Sequence, residues 1–223
     1  MTPDLGAGMA VLVDLVEVGG PVVAILLALS IVAVAIGLWK IAVFAVSRVG
    51  RHRGVLSALD AYDTGDTPRA LEACGSTGNH LAPLLQEVIL HRPTLESSEA
   101  FKERITNDAV RYLARLQSGF RFLDSIAQLS PLLGLFGTVL GMIDAFQALQ
   151  GAGVSVDPSI LAGGIWVALL TTAVGLGVAM PTSVLLTWLE SRVEAERSLA
   201  ESIIARGFYP TAPTSAALAP GAV

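Results

Sequence analysis

The sequence predicts an all-α membrane protein with three transmembrane helices and long helical extensions outside the bilayer. With 53% hydrophobic and 15% charged residues, the 223-residue chain is too apolar for an ordinary soluble domain. Three apolar segments, at residues 21–46, 122–149 and 159–189, each reach the ~20 residues that a spanning helix requires. The polar segments between and after them carry helical rather than alternating periodicity.

The first element is a membrane anchor preceded by an acidic N-terminus. Residues 1–20 contain no Lys or Arg, which is wrong for the basic start of a signal peptide. The apolar run at 21–46 is longer than a signal core, and a basic cluster follows it directly. We interpret it as an uncleaved signal anchor, and we expect Lys40 to extend its ammonium group to the membrane interface.

Residues 47–121 predict a small helical domain. Apolar residues at helical spacing indicate short helices at about 56–62, 70–74 and 81–90, with Gly and Pro between them. From about residue 95 a stronger pattern runs into the second span without a breaker, which predicts one continuous helix over 95–149. At ~1.5 Å per residue such a helix is much longer than the ~30 Å hydrocarbon core, so its first half must lie outside the bilayer.

The last part of the chain predicts an antiparallel hairpin and a helical extension. Residues 150–158 form a short Gly-rich turn, in which Asp157 is a candidate N-cap for the third span. The span at 159–189 contains no charged residue, and residues 190–207 continue it as a charged helix. Residues 208–223 are rich in Pro, Ala and Gly, which predicts a disordered tail.

The positive charges predict the orientation of the chain. Three spans place residues 1–20 and 150–158 on one side of the membrane, and residues 47–121 and 190–223 on the other. All 14 Lys and Arg residues except Lys40 lie on the second side. We therefore expect a periplasmic N-terminus and a cytoplasmic C-terminus. Neither the net charge of −5 nor its distribution favours nucleic acid as a partner.

Small residues form one face of each of the last two spans. Such stripes allow membrane helices to approach closely, and two stripes on two helices predict two distinct surfaces for a ring of subunits. On the second span the stripe consists of Gly134, Thr138, Gly141 and Ala145, with Gly137 completing a G-x-x-x-G pattern. On the third span it consists of Gly164, Ala168, Thr171 or Thr172, Gly175 and Ala179.

Two hydroxyl groups are expected at one depth. Thr138 lies 11 residues before Leu149, and Thr172 lies 12 residues after Ile160, so an antiparallel hairpin brings them level near the membrane midplane. One interpretation is that they line a channel. The alternative is that each donates to the carbonyl four residues earlier and only packs, as most membrane threonines do.

A few further residues are candidates for the ends of an ion path. Asp124 and Asp144 are expected at the two membrane interfaces, with a channel mouth as the alternative. Pro131 and Pro181 each free a carbonyl at the cytoplasmic end of a span, which predicts kinks or a hydrated exit path.

Cysteine and histidine offer no sign of a disulfide or a metal site. The single Cys74 excludes an intramolecular disulfide, and no Cys or His cluster has metal-ligand spacing. His52, His80 and His91 are predicted to be isolated surface residues. We expect no catalytic residue, no metal and no cofactor.

Residues 126–149, with Pro131 at the entry, three glycines and one hydroxyl, resemble the second membrane helix of the ExbB/TolQ/MotA family. Members of this family are ring subunits of proton-driven bacterial motors. The third segment is similar to the family too, where one Thr on each helix faces the channel. Three spans with an external N-terminus resemble the ExbB/TolQ branch, because MotA-like subunits have four.

The resemblance implies a non-enzymatic homopentamer in the inner membrane that energises a periplasmic or outer-membrane client. Its pore would hold two copies of an ExbD/TolR-like single-span partner, which brings the proton-carrying Asp, and a TonB- or TolA-like protein could receive the work. Many relatives carry a Glu where this chain has Val167, so this ring has no carboxylate of its own there. The implied pore-lining residues are Thr138, Thr172, Thr171, Gly134, Gly141, Gly164, Ala168 and Gly175.

Two other functions remain open from the sequence. A passive oligomeric ion channel would use the same hydroxyl-lined pore without a partner. A structural scaffold would use the small-residue faces for packing only. The sequence names neither the client nor the ion, H⁺ or Na⁺.

Overall fold

A computed structural model describes residues 5–91, 98–151 and 158–208, and all regular elements in these ranges are α-helices. Three stretches are long and apolar enough to cross a membrane, namely Val13–Val46, Glu99–Gly151 and Leu161–Phe208. This confirms an all-helical chain with three candidate spans. The helices are α1 (Leu5–Val46), α2 (Arg53–Asp63), α3 (Thr67–Thr77), α4 (Ala82–Leu90), α5 (Ser98–Gln117), α6 (Phe120–Gly151) and α7 (Pro158–Phe208).

Helix α1 begins earlier than the predicted span and is divided at Gly20. The backbone of Gly20 has φ 65° and ψ −158°, which interrupts the helix directly before Pro21. Glycine adopts positive φ without steric cost, and proline is well suited to the first turn of the helix that resumes there. The predicted start of the first span therefore coincides with the kink inside α1.

The continuous helix predicted over residues 95–149 is wrong. Helix α5 ends at Gln117 and α6 begins at Phe120, with Ser118 and Gly119 in a turn between them. Gly119 has φ 85°, a conformation that a helix cannot continue through. The apolar periodicity continues on both sides of this glycine, and for that reason the pattern concealed the break.

The short helices of the predicted domain are present as α2, α3 and α4. Helix α3 shows why they begin and end where they do: the Asp66 side chain accepts a hydrogen bond from the Arg69 amide, and Gly78 ends the helix with φ 55°. Helix α7 continues through the charged segment as expected, to Phe208. Most of the turn at 150–158, with Asp157, and nearly all of the tail lie outside the described residues.

The chain divides into two compact units. Unit 1 contains residues 1–39 and 119–187, and therefore most of the three apolar helices. Inside it, α1 packs on α7 where Gly37 leaves room for the Leu185 side chain, 2.6 Å from the position of an added Cβ. Many large apolar side chains point outward instead, such as Leu132 and Phe136, which are 60% and 53% exposed. Such surfaces are typical of helices that contact lipid or other apolar helices.

Unit 2 contains residues 40–118 and 188–223 and has a core of its own. Helices α2 to α5 and the last turns of α7 contribute to this core. Its fully buried side chains include Val55, Leu59, Leu81, Leu85, Ile105 and Ile203. The segment predicted to be a small helical domain is thus packed together with the end of the third long helix.

The side chain of Lys40, which was expected to extend to the membrane interface, is enclosed by protein. Its side chain is fully buried in unit 2, where Nζ donates to the Leu116 carbonyl and the Ser118 hydroxyl, each at 3.0 Å. The last carbonyls of a helix lack partners within the helix and carry partial negative charge. The end of α5 therefore supplies the acceptors that this ammonium group needs.

Candidate functional site

Helices α6 and α7 of unit 1 contact each other through their small-residue faces. Gly141 lies against Ala168, and a Cβ added at Gly141 would be 3.3 Å from the Ala168 Cβ. One turn further along, a Cβ added at Gly164 would overlap Ala145. The small residues on both helices therefore allow a close approach that larger side chains would prevent.

Toward the other end of this contact the two backbones meet directly. A Cβ added at Gly134 would lie 2.9 Å from the Thr171 carbonyl oxygen, and one at Gly175 would lie 2.6 Å from the Ser130 carbonyl oxygen. A Cβ at Gly137 would meet the Thr171 side chain. Because a backbone cannot move aside as a side chain can, Gly134 and Gly175 are the most restricted positions of the contact.

The register of the contact places the hydroxyl groups level along the hairpin. Gly141 faces Ala168 and Ala145 faces Gly164, so each helix advances four residues between these pairs. Continuing the same register in the opposite direction brings Thr138 across from Thr171. Along the helix axes, Thr138 and Thr172 therefore differ in position by about 1.5 Å, the rise of one residue.

The three threonines use their hydroxyl hydrogens differently. Thr138 donates to the Leu135 carbonyl at 2.7 Å, on its own helix. Thr171 lies 2.7 Å from the Ala168 carbonyl and 3.2 Å from the Gly134 carbonyl, and its single hydrogen favours the nearer acceptor. Thr172 lies 3.2 Å from the same Gly134 carbonyl and donates across to α6.

Exposure separates these threonines into two groups. Thr171 is 1% exposed and is enclosed in the contact between the helices. Thr138 and Thr172 are only partly buried. Their hydroxyl oxygens keep acceptor lone pairs after donating their hydrogens, so both can accept a hydrogen bond from a protonated group. The local hydrogen bond expected in the alternative is found for Thr138 and also for Thr171, in each case to the carbonyl three residues back and not four. Thr172 departs from it, because its hydroxyl donates across to α6.

The small-residue faces were predicted to be two separate surfaces for contacts between subunits. In the structure they pack against each other within one chain. The physical reason is that a hairpin brings its two helices together at little cost in chain entropy, so complementary faces meet there first. The pore-lining roles of Gly134, Gly141, Gly164, Ala168 and Gly175 stay predictions.

A second stripe on α7 remains open. A Cβ added at Gly163 or at Gly177 would meet nothing within 4 Å. The two glycines are 14 residues apart, which places them on nearly the same face of an α-helix, and the half-buried Val167 shares that face. Near Gly177 this face borders a cavity that Ser30, Ala33 and Val34 of α1 also line.

The two aspartates lie away from the contact. Asp124 and Asp144 are both exposed, and Asp124 Oδ1 accepts a hydrogen bond from Gln128 Nε2 at 2.7 Å. Nothing in this arrangement decides between an interface and a channel mouth. Both roles therefore stay predictions.

Both prolines lie inside helices and follow or precede a hydroxyl residue. Ser130, just before Pro131, donates to the Ile126 carbonyl at 2.7 Å, and Thr182, just after Pro181, donates to the Val178 carbonyl at 2.7 Å. A cavity of 110 Å³ borders Pro181, between α1 and α7. The predicted kinks and exit path remain predictions.

The prediction that the three histidines are isolated surface residues is wrong for two of them. In unit 2, His52 Nε2 lies 2.9 Å from Glu196 Oε1, and His80 Nε2 lies 3.7 Å from Glu196 Oε2. Glu196 itself is fully buried. His91 is exposed and lies beside the Phe101 ring.

One signal in the sequence points to this cluster. Residues 189, 193, 200 and 203 of α7 are buried and apolar, and Glu196 takes the intervening position of the same helical stripe. A charged residue at a core position needs a partner. The partners lie 144 and 116 positions away along the chain, beyond the reach of local pattern analysis. Within the described ranges, no group of three or more His, Cys, Asp or Glu residues could hold a metal ion.

The part of the chain that matches known proteins includes α6 and most of α7. The profile of the MotA/TolQ/ExbB proton channel family matches residues 78–202. A biopolymer transport protein ExbB homologue from Methanothermobacter thermautotrophicus is 31% identical over 153 residues, which cover 68% of this chain and 52% of the relative. Biopolymer transport protein exbB1 of Vibrio cholerae is 38% identical over 113 residues, covering 45% and 50%.

A third relative comes from the Tol branch. The Tol-Pal system protein TolQ of Haemophilus influenzae is 41% identical over 85 residues, which are 38% of this chain and 37% of TolQ. The chain spans about half the length of the first two relatives, at 52% and 50%. Each of the three similarities therefore covers only part of the relative's length.

Proposed function

Since the chain belongs to the MotA/TolQ/ExbB proton channel family and is a multi-pass membrane protein, we propose that it is a ring subunit of a proton-driven motor. The motor would lie in the bacterial inner membrane and perform work on a periplasmic or outer-membrane client. The observation that carries this proposal is the pair of level, partly exposed hydroxyls at Thr138 and Thr172. Both threonines fall inside the region that matches the family.

The proton carrier is proposed to come from a partner. The α6–α7 contact is built of Gly, Ala, Ser and Thr. At Val167 the family resemblance implies a Glu in many relatives, and this chain has no carboxylate there. An ExbD/TolR-like protein with one span and a membrane-embedded Asp would supply the acid, with two copies in a pore of five subunits. The names of the ExbB and TolQ relatives support this class of system.

The arrangement of hydroxyls suggests how proton binding could drive movement. The hydroxyls of Thr138 and Thr172 donate their hydrogens to carbonyl groups and keep lone pairs. They can therefore accept a hydrogen bond from a protonated acid of the partner. When the acid loses its proton, the hydroxyls must rotate and donate to the carboxylate. A hydrogen bond to a charged group contributes about 1.5–3 kcal/mol, so each protonation state favours a different hydroxyl orientation.

The energy available is sufficient for such a step. One charge moving across the membrane releases ~2.3 kcal/mol per 100 mV, which is similar to the energy of one charge-assisted hydrogen bond. A few protons would therefore move the ring and its partner relative to each other. The client would be a TonB- or TolA-like protein, and unit 2 would lie in the cytoplasm according to the distribution of Lys and Arg.

The experiment uses the full chain reconstituted in liposomes with an ExbD/TolR-like single-span protein as the candidate partner. Proton entry is followed with an internal pH dye under an imposed potential. We expect Thr138→Val with Thr172→Val to assemble normally but to slow proton entry at least tenfold, because the partner acid loses its hydrogen-bond donors. Thr138→Ser with Thr172→Ser retains both hydroxyls and should conduct as the wild type does.

Two outcomes would contradict the proposal. Normal conduction by the double valine variant would remove the threonines from the proton path and favour a scaffold. Equal conduction with and without the partner would identify a passive channel. Native mass spectrometry of the same sample tests the ring itself, for which five copies of this chain are expected.

A further inference from the structure

Glu196 is a buried carboxylate with one satisfied and one unsatisfied oxygen. Its Oε1 accepts hydrogen bonds from the Gly50 amide at 2.5 Å and from His52 Nε2 at 2.9 Å. Because an ionised carboxylate only accepts, His52 Nε2 must carry the hydrogen of this bond. Its Oε2 makes no hydrogen bond within the described residues and lies 3.7 Å from His80 Nε2.

The His80 side chain also lacks hydrogen-bond partners within the described residues. Both of its ring nitrogens are buried, and neither makes a hydrogen bond of good geometry, although the Ser47 backbone lies close enough to favour the protonated ring. Burial lowers the pKa of His80 below its usual 6.5, and the nearby Glu196 carboxylate only partly offsets this effect. Burial therefore favours the neutral form of the ring.

Two arginine side chains near this cluster contact groups other than Glu196. Arg48 Nη1 donates to the Thr77 carbonyl at 3.3 Å. The Arg192 guanidinium lies over the Trp188 ring at 5.4 Å and approaches Gly50. Neither of these contacts satisfies Glu196 Oε2. The His80 ring is the titratable group that faces this oxygen.

We propose that His80 and Glu196 form a second proton-binding site, in a different unit from Thr138 and Thr172. One proton, taken from the surrounding water, would bind to the lone pair of the His80 ring and convert imidazole to imidazolium. The Nε2–H group would then donate to Glu196 Oε2, and the gap of 3.7 Å would close to a hydrogen bond. This inference does not depend on the proposed motor function.

The site joins three segments that are distant in sequence. Gly50 and His52 follow α1, His80 lies between α3 and α4, and Glu196 belongs to α7. Protonation of one ring therefore changes the contacts of all three segments together. If unit 2 lies in the cytoplasm, the site would respond to the pH on the side where a proton-driven motor releases its protons.

The test is a histidine titration of the full-length protein in lipid nanodiscs, followed by NMR with isotope-labelled histidine. Signals are assigned with His→Gln variants. We expect the His80 midpoint below 6.5. Glu196→Gln should lower this midpoint further, because it removes the charge that favours imidazolium, whereas His52→Gln should raise it, because it removes a neighbouring ring that opposes the charge.

The opposite directions of these two shifts distinguish the site from a general loosening of the fold. His91→Gln removes an exposed ring and should leave the His80 midpoint unchanged, which makes it the matched control. A His80 midpoint at 6.5 that neither variant moves would overturn the proposal, and so would shifts of the same sign in both. If Glu196→Gln does not fold, Glu196→Asp keeps the charge at a greater distance and should still lower the midpoint.

Discussion

Gly175 and Ser130 are in direct backbone contact, since a Cβ added at Gly175 would lie 2.6 Å from the Ser130 carbonyl oxygen. We expect Gly175→Ala to destabilise the hairpin by about 1–3 kcal/mol, because the helices must separate to admit the methyl group. Thermal unfolding in detergent, followed by tryptophan fluorescence, measures this change. The fluorescence should report a lower unfolding temperature.

The matched control is two residues away. A Cβ at Gly177 would meet nothing within 4 Å, so Gly177→Ala should leave the packing intact and gain about 1 kcal/mol of helix propensity. The two alanine variants should therefore shift the unfolding temperature in opposite directions. Equal shifts would show that the α6–α7 contact is not as close as described.

The stability of unit 2 should fall as the pH falls below 6.5. The pKa of His80 is lowered in the folded protein by burial, so the unfolded chain binds a proton more readily. The stabilisation is complete above the unfolded pKa of about 6.5 and is lost as the pH falls through the folded value. Thermal unfolding between pH 7.5 and 5.5 measures it. His80→Gln should show a smaller loss than the wild type, and His91→Gln an equal one.

Cys74 should react slowly with thiol reagents while unit 2 is folded. The thiol is 3% exposed, and burial raises its pKa from 9.0 to about 11. Only the thiolate is nucleophilic, so alkylation at pH 8 should be much slower than for an exposed cysteine. The comparison variant combines Cys74→Ala with Ser76→Cys, since Ser76 is exposed on the same helix. Equal rates by mass spectrometry would contradict the buried position of Cys74.

Val167→Glu tests the departure from the family. Val167 is half-buried and shares a face of α7 with the exposed Gly163 and Gly177. We expect the variant to insert, to assemble, and to conduct protons with a new pH dependence, because the stripe would contact a partner or a pore. Val167→Gln controls for size without the charge. If the face contacts lipid instead, the carboxyl group costs roughly 2.5–3.5 kcal/mol and insertion should fail.

Local patterns predicted the helices well because apolar spacing and capping act over a few residues. Helices α2 to α4 and the long α7 follow such patterns. The apolar pattern does not predict the break at Gly119, because one glycine is weak evidence against a periodicity that continues on both sides of it. The hydroxyls of Thr138 and Thr172 were placed level by counting residues, since an antiparallel hairpin has a simple register.

Long-range pairs could not be predicted in the same way. His52 and Glu196 are 144 residues apart, and no short-range rule relates them. The mutual packing of the Gly134 and Gly175 faces was missed for a different reason. A small-residue stripe shows that some helix approaches closely, but not whether that helix belongs to the same chain.

The burial of Lys40 has a consequence for the order of events during synthesis. Its acceptor, the Leu116 carbonyl, lies 76 residues later in the chain. At about 5–20 residues per second, the ribosome needs roughly 4–15 s to supply it. During that interval the nascent first span must enter the bilayer with an ammonium group that has not yet met the end of α5. Insertion of α1 is therefore separated in time from the contact that finally holds its last turns.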